Sequence, residues 1–567
     1  MAAQPFYPSE TLLKLKFLIA GNDSGLDSLL KEATVHFELN KIAFAKFTFI
    51  ASNDGLEKQS ELPLDVLNRK PQDKPIEIEV QIPDTDIAKP PKTLFKGIVK
   101  SFEKQTEATQ ITVKIECKDI AFRLTQPSTE PENNTMNFEE RLKLFIDGKL
   151  KISDNLKGKP WGKEKITHNN ATVPWDYLVG YLDSIGLLIS LRNAEFNAVG
   201  ILKEDGEKTA SYMAENGINV FSFSGKVDAQ KQKSSVVIES WDIEAQAVNR
   251  TSAEQSTDEN PQTIRVGQTH LTADTLKRIA EAVLVKSNIA AINGKVTTFG
   301  NLEAKAGDYI SFSKVNPQID DKILLITQET HMIENGCWKT EYAYGLESEK
   351  SFTEQTAAPA HNNSQAQIGQ SNTVNGLQIG KVLQIEDDPD HHFRIRVKIT
   401  SLSESGEGVW ARLANANASK DMGSYFIPDV GDEVILGCIG NNPDTPVILG
   451  SLYSSAHPMP FPIKKENYFK GFVTKQGTRI LMDDEKKIIE ISTKKANKLT
   501  ISDDLKGVAI EDENGNKITL NDQGIVIESF KDISIKAASG NIKIEGKQVE
   551  VTSSTKMDLK GSLINLN

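Results

Sequence analysis

Alternation of apolar and polar residues with a period of two recurs along the whole chain, as in LLKLKFLIA near Leu13 and VHFELNKIAFAKFTFIAS from Val35. That period belongs to half-buried β-strands, so the chain is predicted to be mainly β. Two stretches carry the i, i+3, i+4 spacing of helices instead: WDYLVGYLDSIG from Trp175, and TADTLKRIAEAVLVKSNIAAING from Thr272. The second has Thr272 or Asp274 as N-cap and Gly294 as a stop. Toward the C-terminus the alternation tightens into a repeated apolar-x-apolar unit at Ile525/Ile527, Ile533/Ile535, Ile542/Ile544, Val549/Val551, Met557/Leu559 and Ile564/Leu566. Each unit predicts one very short strand with one apolar face. Upstream pairs, Ile489/Ile491, Leu499/Ile501, Val508/Ile510 and Ile518/Leu520, are separated by hairpin turns such as ENGN at Glu513 to Asn516, so the tail is expected to begin as a meander.

A ribbon of strands this short cannot enclose a core, and both its edges present unpaired N–H and C=O groups. Three copies wound about one axis bury the apolar face in a central column and pair every edge, whereas a stack of hairpins in an ordinary sandwich is the competing arrangement. The needle core expected on this reading is Ile533, Ile535, Ile542, Ile544, Val549, Val551, Met557 and Leu559.

Composition narrows the class. The chain has 567 residues, net charge -12 and three scattered cysteines, Cys117, Cys337 and Cys438, without CxxC spacing. A negative balance leaves no global field for phosphates, so no nucleic-acid role is expected, and the cysteines read as buried small apolar residues from a reducing compartment. No apolar run reaches the ~18 residues of a membrane helix, and the start lacks a basic region followed by an apolar one, so the chain is expected to be made in the cytoplasm without a signal peptide. Polar or Pro-rich stretches at 249–262, 354–377 and 456–470 are the candidate connections. His391-His392 beside Asp387, Asp388 and Asp390 resembles a metal cluster in composition alone, and Asp432-Glu433 are strand neighbours that face apart. There is no GxxxxGK[ST], HExxH, GxSxG or Rossmann glycine run. No catalytic, metal or cofactor site is expected.

The middle segment, GKVLQIEDDPDHHFRIRVKI from Gly380, VWARL from Val409 and YFIPDVGDEVILGCIGNNPDTPVILGSLY from Tyr425, resembles the OB-fold domain of VgrG and phage spike proteins. Its Asp-Pro-Asp at Asp388 to Asp390, Arg394, Arg396, Trp410, Arg412, Pro428, Gly431 to Val434, Asn442 to Pro446 and Gly450 to Leu452 follow that pattern. LFKGIVKSFE around Gly97, SWDIEAQ from Ser240, AGDYISF from Ala306 and HMIENGCWKTEYAYGL from His331 resemble the same family's hub in order and spacing. The resemblance implies a hub of two β-barrel-like domains with a few helices at 1–353, a linker at 354–377, an OB-fold β-barrel at 378–455, a Pro-rich joint at 456–480 and, at 481–567, a triple-stranded intertwined β-helix formed as a homotrimer. It further implies a contractile-injection spike that caps a hexameric inner tube, contacts baseplate proteins and pierces a target envelope when a sheath contracts. A PAAR-type tip protein is expected on Leu563, Ile564, Asn565, Leu566 and Asn567, with cargo effectors as further partners. Neither a lysozyme domain between OB domain and needle nor a C-terminal effector is expected. The competing readings are a type VI or phage form of the same spike, an envelope-degrading glycan hydrolase, and a trimeric adhesin fibre.

Overall fold

The computed structural model describes residues 13, 15–52, 76–83, 89–127, 135–146, 148, 150–156, 161, 164–167, 173–255, 260–268, 271–348, 374–402 and 407–565. It divides into two compact units, 1–452 and 453–567. The expected connection 354–377 lies outside the described residues apart from its last four.

In the first unit, the alternating stretches near the N-terminus build one lobe from Lys16–Ile19, Leu30–Glu38, Phe44–Ser52, Glu77–Ile82, Lys92–Thr106 and Gln110–Lys118. Their inward residues, among them Phe17, Val35, Phe47, Phe49, Val80 and Val113, form one core in which Phe17 meets Phe47 edge-on at 5.2 Å. A second lobe is built from Tyr212–Glu215, Val220–Val227, Ile292–Phe299, Tyr309–Ser313, Ile323–Glu334 and Cys337–Tyr344 around Tyr212, Ile310, Phe312, Tyr342 and Tyr344. The lobes are joined edge to edge: Leu30–Glu38 pairs antiparallel with Ile323–Glu334, making one 13-stranded sheet.

That seam holds a buried ionic group. Glu329, fully buried, accepts hydrogen bonds from Arg192, from the Ala306 backbone N–H at 3.2 Å and from His331 Nε2 at 2.7 Å. Trp338 Nε1–H can only donate, and it lies 3.3 Å from His331 Nδ1, so the ring carries its proton on Nε2 and gives it to Glu329. Burial pushes the Glu329 carboxyl up, but Arg192 and His331 outweigh it and leave its pKa lowered.

Helices α1 (Phe138–Ile146), α2 (Pro174–Ser184) and α3 (Ala273–Ala291) pack with the strands Leu187–Arg192 and Glu195–Gly200 around a third core. The i, i+4 spacing places α2 and α3 where the sequence predicts them, with Thr272 as the N-cap of α3, its Oγ1 accepting from Thr275 N. Gly294 is not the stop. The helix ends at Ala291 and Gly294 already lies in a strand, where a Cβ would stand 2.1 Å from Ser224 O. The stretch 249–262, expected as a solvated loop, is instead mostly strand: Ala247–Glu254 and Pro261–Gln268 flank Ser235–Asp242 in a three-stranded sheet. Its polar composition reflects an outer strand on which only Ala253 is buried.

α3 is tied to α2 by Lys286, whose Nζ lies 2.6 Å from Asp183 Oδ1 and 2.7 Å from Asp183 O, both side chains being buried. A cation in such a site is tolerated only because the partner is present.

The OB segment closes a five-stranded barrel from Gln378–Gln384, Ile395–Ile399, Val409–Leu413, Glu433–Cys438 and Pro446–Ser451. Val382, Val397, Ala411, Val434, Leu436 and Ile448 fill it. Between its first two strands, Asp388 organises a tight loop: its carboxylate accepts from the backbone N–H of Asp390, His392 and Arg394 and from the Arg394 guanidinium at 2.6 Å. Partial burial raises the Asp388 pKa, yet Arg394 and the loop N–H groups prevail and hold it well below the usual carboxylate range. His391 and His392 follow within this loop, His391 with a positive φ of 56°. Among the described residues no group of His, Cys, Asp and Glu is arranged to hold a metal ion.

Two outcomes are expected. Lys286→Met leaves the buried Asp183 carboxylate without its cation and lowers the denaturant stability of the full chain by about 3 kcal/mol or more, read from tryptophan fluorescence. Asp388 has a depressed folded pKa, so its contribution is present above the unfolded carboxylate pKa of about 4 and is lost as pH falls toward the folded value. The melting gap between the parent and Asp388→Asn, measured by calorimetry, is therefore wide at pH 7 and narrows below about pH 4.

Candidate interaction surface: the C-terminal apolar sheet

The second unit carries a seven-stranded antiparallel sheet of Phe469–Val473, Arg479–Asp483, Ile488–Ser492, Lys498–Ser502, Gly507–Glu511, Lys517–Asn521 and Gly524–Glu528, in sequence order. Strands of five residues joined by tight turns form here because each gap offers a turn former. In the turn at 512–516, Asp512 Oδ1 accepts from the N–H of Asn514 and Asn516, both at 2.9 Å, and Gly515 takes the positive φ of 88°. Turns on the same edge are linked by ion pairs, Lys506 to Asp522 at 2.8 Å and Lys487 to Asp503 at 3.8 Å, each worth about 0–1 kcal/mol at such exposure. Gly507 lets its strand approach closely, since a Cβ there would stand 1.7 Å from Leu520 O.

The register gives the sheet its character. Phe472 pairs with Ile480, Ile480 with Ile491, Ile491 with Leu499, Leu499 with Ile510, Ile510 with Ile518, and Ile518 with Ile527. Beside that column runs a second: Met482, Ile489, Ile501, Val508, Leu520 and Ile525, successive partners across six strands. Both columns share a face, because their members stand two residues apart on each strand. The opposite face carries Arg479, Glu490, Ser492, Thr500 and Glu511, with Arg479 on Glu490 at 2.8 Å.

The apolar columns are not covered by their own chain. Ile480, Ile489, Ile491, Ile501 and Ile510 are each 43–47% exposed, and Ile525 is 69% exposed. Beyond Glu528 the described residues contain no strand at all, and Ile533, Ile535, Ile542, Ile544, Val549, Val551, Met557 and Leu559 all stand exposed. Leu563, Ile564 and Asn565 are exposed as well; Leu566 and Asn567 lie outside the described residues.

Phe472 and Ile480 belong to the columns although they fall within 456–480, the stretch expected as a joint before a needle at 481–567. The strand Phe469–Val473 falls inside that stretch, and its alternation is masked by Lys470 and Gly471. The signal was present in RILMD, where Ile480 and Met482 have the same spacing as the later pairs.

With this geometry in hand, comparison with known proteins assigns each segment. The Alg8 N-terminal domain family matches residues 9–334, more than half of the chain. The type VI secretion system/phage-baseplate injector OB domain matches 378–453, and the phage baseplate V C-terminal trimerisation domain matches 488–557, which holds most of both columns. The type VI secretion system spike protein VgrG1a of Pseudomonas aeruginosa is 30% identical over 92 residues, 15% of this chain and 14% of that protein. The spike protein VgrG3 of Vibrio cholerae is 30% identical over 110 residues, 18% of this chain and 11% of its own length. The alignment thus spans under a fifth of either relative. Two solved structures share the fold at low identity: a chain of a PdpA-VgrG complex in lidless form (TM-score 0.54, 12% identity, covering 92% of this chain and 99% of the other), and one of the half-lidded complex from Francisella (TM-score 0.54, 10% identity, covering 91% and 88%). An injector OB barrel followed by a sheet whose apolar face lies open, within a trimerisation domain, is the plan of a hub-spike, and the chain belongs to the VgrG and phage-baseplate spike family, its N-terminal region being an Alg8 N-terminal domain.

Proposed function

We propose that three copies of this chain assemble into the hub and spike of a contractile injection system. The observation that carries this reading is the pair of apolar columns laid open on a single-layer sheet. A single sheet leaves one face to solvent, and burying an Ile or Leu side chain is worth about 1.5–3 kcal/mol, so such a face is stable only when a partner covers it. Three identical faces around one axis cover each other. The same operation supplies strand partners to 529–565, where the chain has none of its own among the described residues.

In this reading the first unit is the mount and the second is the driven rod. The two six-stranded lobes of each chain, repeated in three copies, present six similar units to a hexameric inner tube and so resolve a three-against-six mismatch. Baseplate proteins hold this hub, and sheath contraction drives the rod through the target envelope. A laddered backbone with every edge closed by a partner transmits axial force because no strand end is free to peel. A PAAR-type tip protein docks by main-chain pairing on 563–567, a stretch made apolar by Leu563, Ile564 and Leu566. The work is mechanical, and no residue is assigned a catalytic part. Cargo effectors are further passengers of such a spike.

Two measurements test this. Purified full chain is expected at three times 62.5 kDa by light scattering, while Ile501→Asp with Ile510→Asp, which places six carboxylates, one per column in each copy, on the faces a trimer buries, gives monomers; a monomeric parent with an ordered tail contradicts the reading. Truncation before Ile533 is expected to leave the hub and OB barrel folded and to abolish capture of the tip protein; undiminished capture places that docking surface elsewhere.

A further inference from the structure

The OB barrel displays two apolar features that its own core does not use. Along its first strand, Gln378–Gln384, the inward residues Gly380 and Val382 face the barrel core, and the outward row is Leu377, Ile379, Lys381, Leu383 and Ile385. All five are exposed, Leu377 by 61%. Outward positions on a solvated barrel strand are ordinarily polar, so a row with four apolar members marks a covered surface. Leu449 widens it: a methyl group built on Gly437 would touch Leu449 at 3.6 Å and Leu377 at 3.8 Å, so both side chains lie over that glycine.

The second feature is an arm. After the small hairpin of Ala418–Ser419 and Met422–Gly423, pinned by Ser424 N to Asn417 O at 2.9 Å, the chain runs outside helix and strand through Tyr425, Phe426, Ile427 and Pro428 to a turn at Asp429–Asp432, from which it re-enters the barrel. Tyr425 is 84% exposed and Phe426 62%. Pro428 lacks an N–H and favours an extended backbone, which suits an arm laid across a surface more than a strand within a sheet. Fully extended, the six residues from Ser424 to Asp429 reach about 20 Å at ~3.3 Å each, enough for about two thirds of the outward row from Leu377 to Ile385, whose nine residues span about 30 Å.

We propose that the arm at 424–430 of one copy lies along the outward row 377–385 and Leu449 of the next copy, closing a ring of three barrels. This rests on the trimeric reading above. Two different patches on one chain make a heterologous contact, and such contacts are safe from open-ended polymerisation only when rotation closes them into a ring. The trimerisation-domain match supplies that closure, and the 17 residues 452–468 join each barrel covalently to its own tail. The occupant is therefore a second copy, already held in reach.

The test is disulfide trapping in the full chain carrying Cys337→Ser and Cys438→Ala, with Cys117 left buried in its sheet. Tyr425→Cys combined with Ile379→Cys, and separately Phe426→Cys combined with Leu449→Cys, is expected to convert most of the chain into intermolecularly linked species under mild oxidant, while each single substitution links none. A trimer by light scattering in which neither pair links overturns the arm contact and leaves the hub-spike assembly standing. Self-linking of the single Tyr425→Cys chain also overturns it, because the arms then meet one another. A monomeric parent removes both.

Discussion

A β-sheet of one layer has a face it cannot bury with its own residues, and this chain makes that face almost wholly apolar over seven strands. The rest of the molecule is consistent with that single constraint. The strands are five residues long, and their turns are tight and ion-paired at the edges, so the register lines up two apolar columns on one face. Past Glu528 the described residues hold no further strand. A surface of this sort in a lone chain invites aggregation, and in a threefold assembly it is the core.

The first unit is organised differently, and the contrast is informative. Its lobes and helices enclose three cores with polar groups satisfied internally: Glu329 by Arg192, His331 and a backbone N–H, Asp183 by Lys286, and Asp388 by Arg394 and its own loop. These groups fix local geometry at a seam between sheets, a helix pair and a barrel loop. Each depends on a specific partner, so each makes its surroundings rigid where the tail relies on repetition. Such rigidity fits the part proposed for the first unit, a mount for the spike.

Much of this was legible in the sequence, and the failures have physical causes. Period-two alternation announced the β character, and the 3.6-residue period located α2 and α3. The pairs from Ile489/Ile491 to Ile525/Ile527 were visible because an apolar-x-apolar unit recurs and each lies in a strand, whereas the units from Ile533/Ile535 onward predict strands where the described residues of one chain have none. The shorter helix α1, Phe138–Ile146, was not recognised, since nine residues give too few turns for a period to stand out. The strand Ala247–Glu254 was taken for a loop because an outer strand has little to bury, so its sequence carries no apolar signal. Gly294 was taken for a helix stop when it is needed for close approach to a neighbouring strand. The ion pairs of Glu329 and Asp183 join residues more than 100 positions apart, and no spacing rule connects them. The start of the apolar columns was missed for a related reason. Ile480 and Met482 carry the pattern, but their partner strand is interrupted by lysine and glycine.

The central claim is that the backbone of the terminal segment is paired by sister chains. Hydrogen–deuterium exchange of the full chain at assembly concentration, followed peptide by peptide across 529–565, tests this most directly. Amides there are expected to exchange as slowly as those of the OB barrel strands, despite having no strand partner among the described residues of their own chain. Exchange at the rate of unstructured peptide in that segment, with the barrel protected in the same sample, would contradict the account.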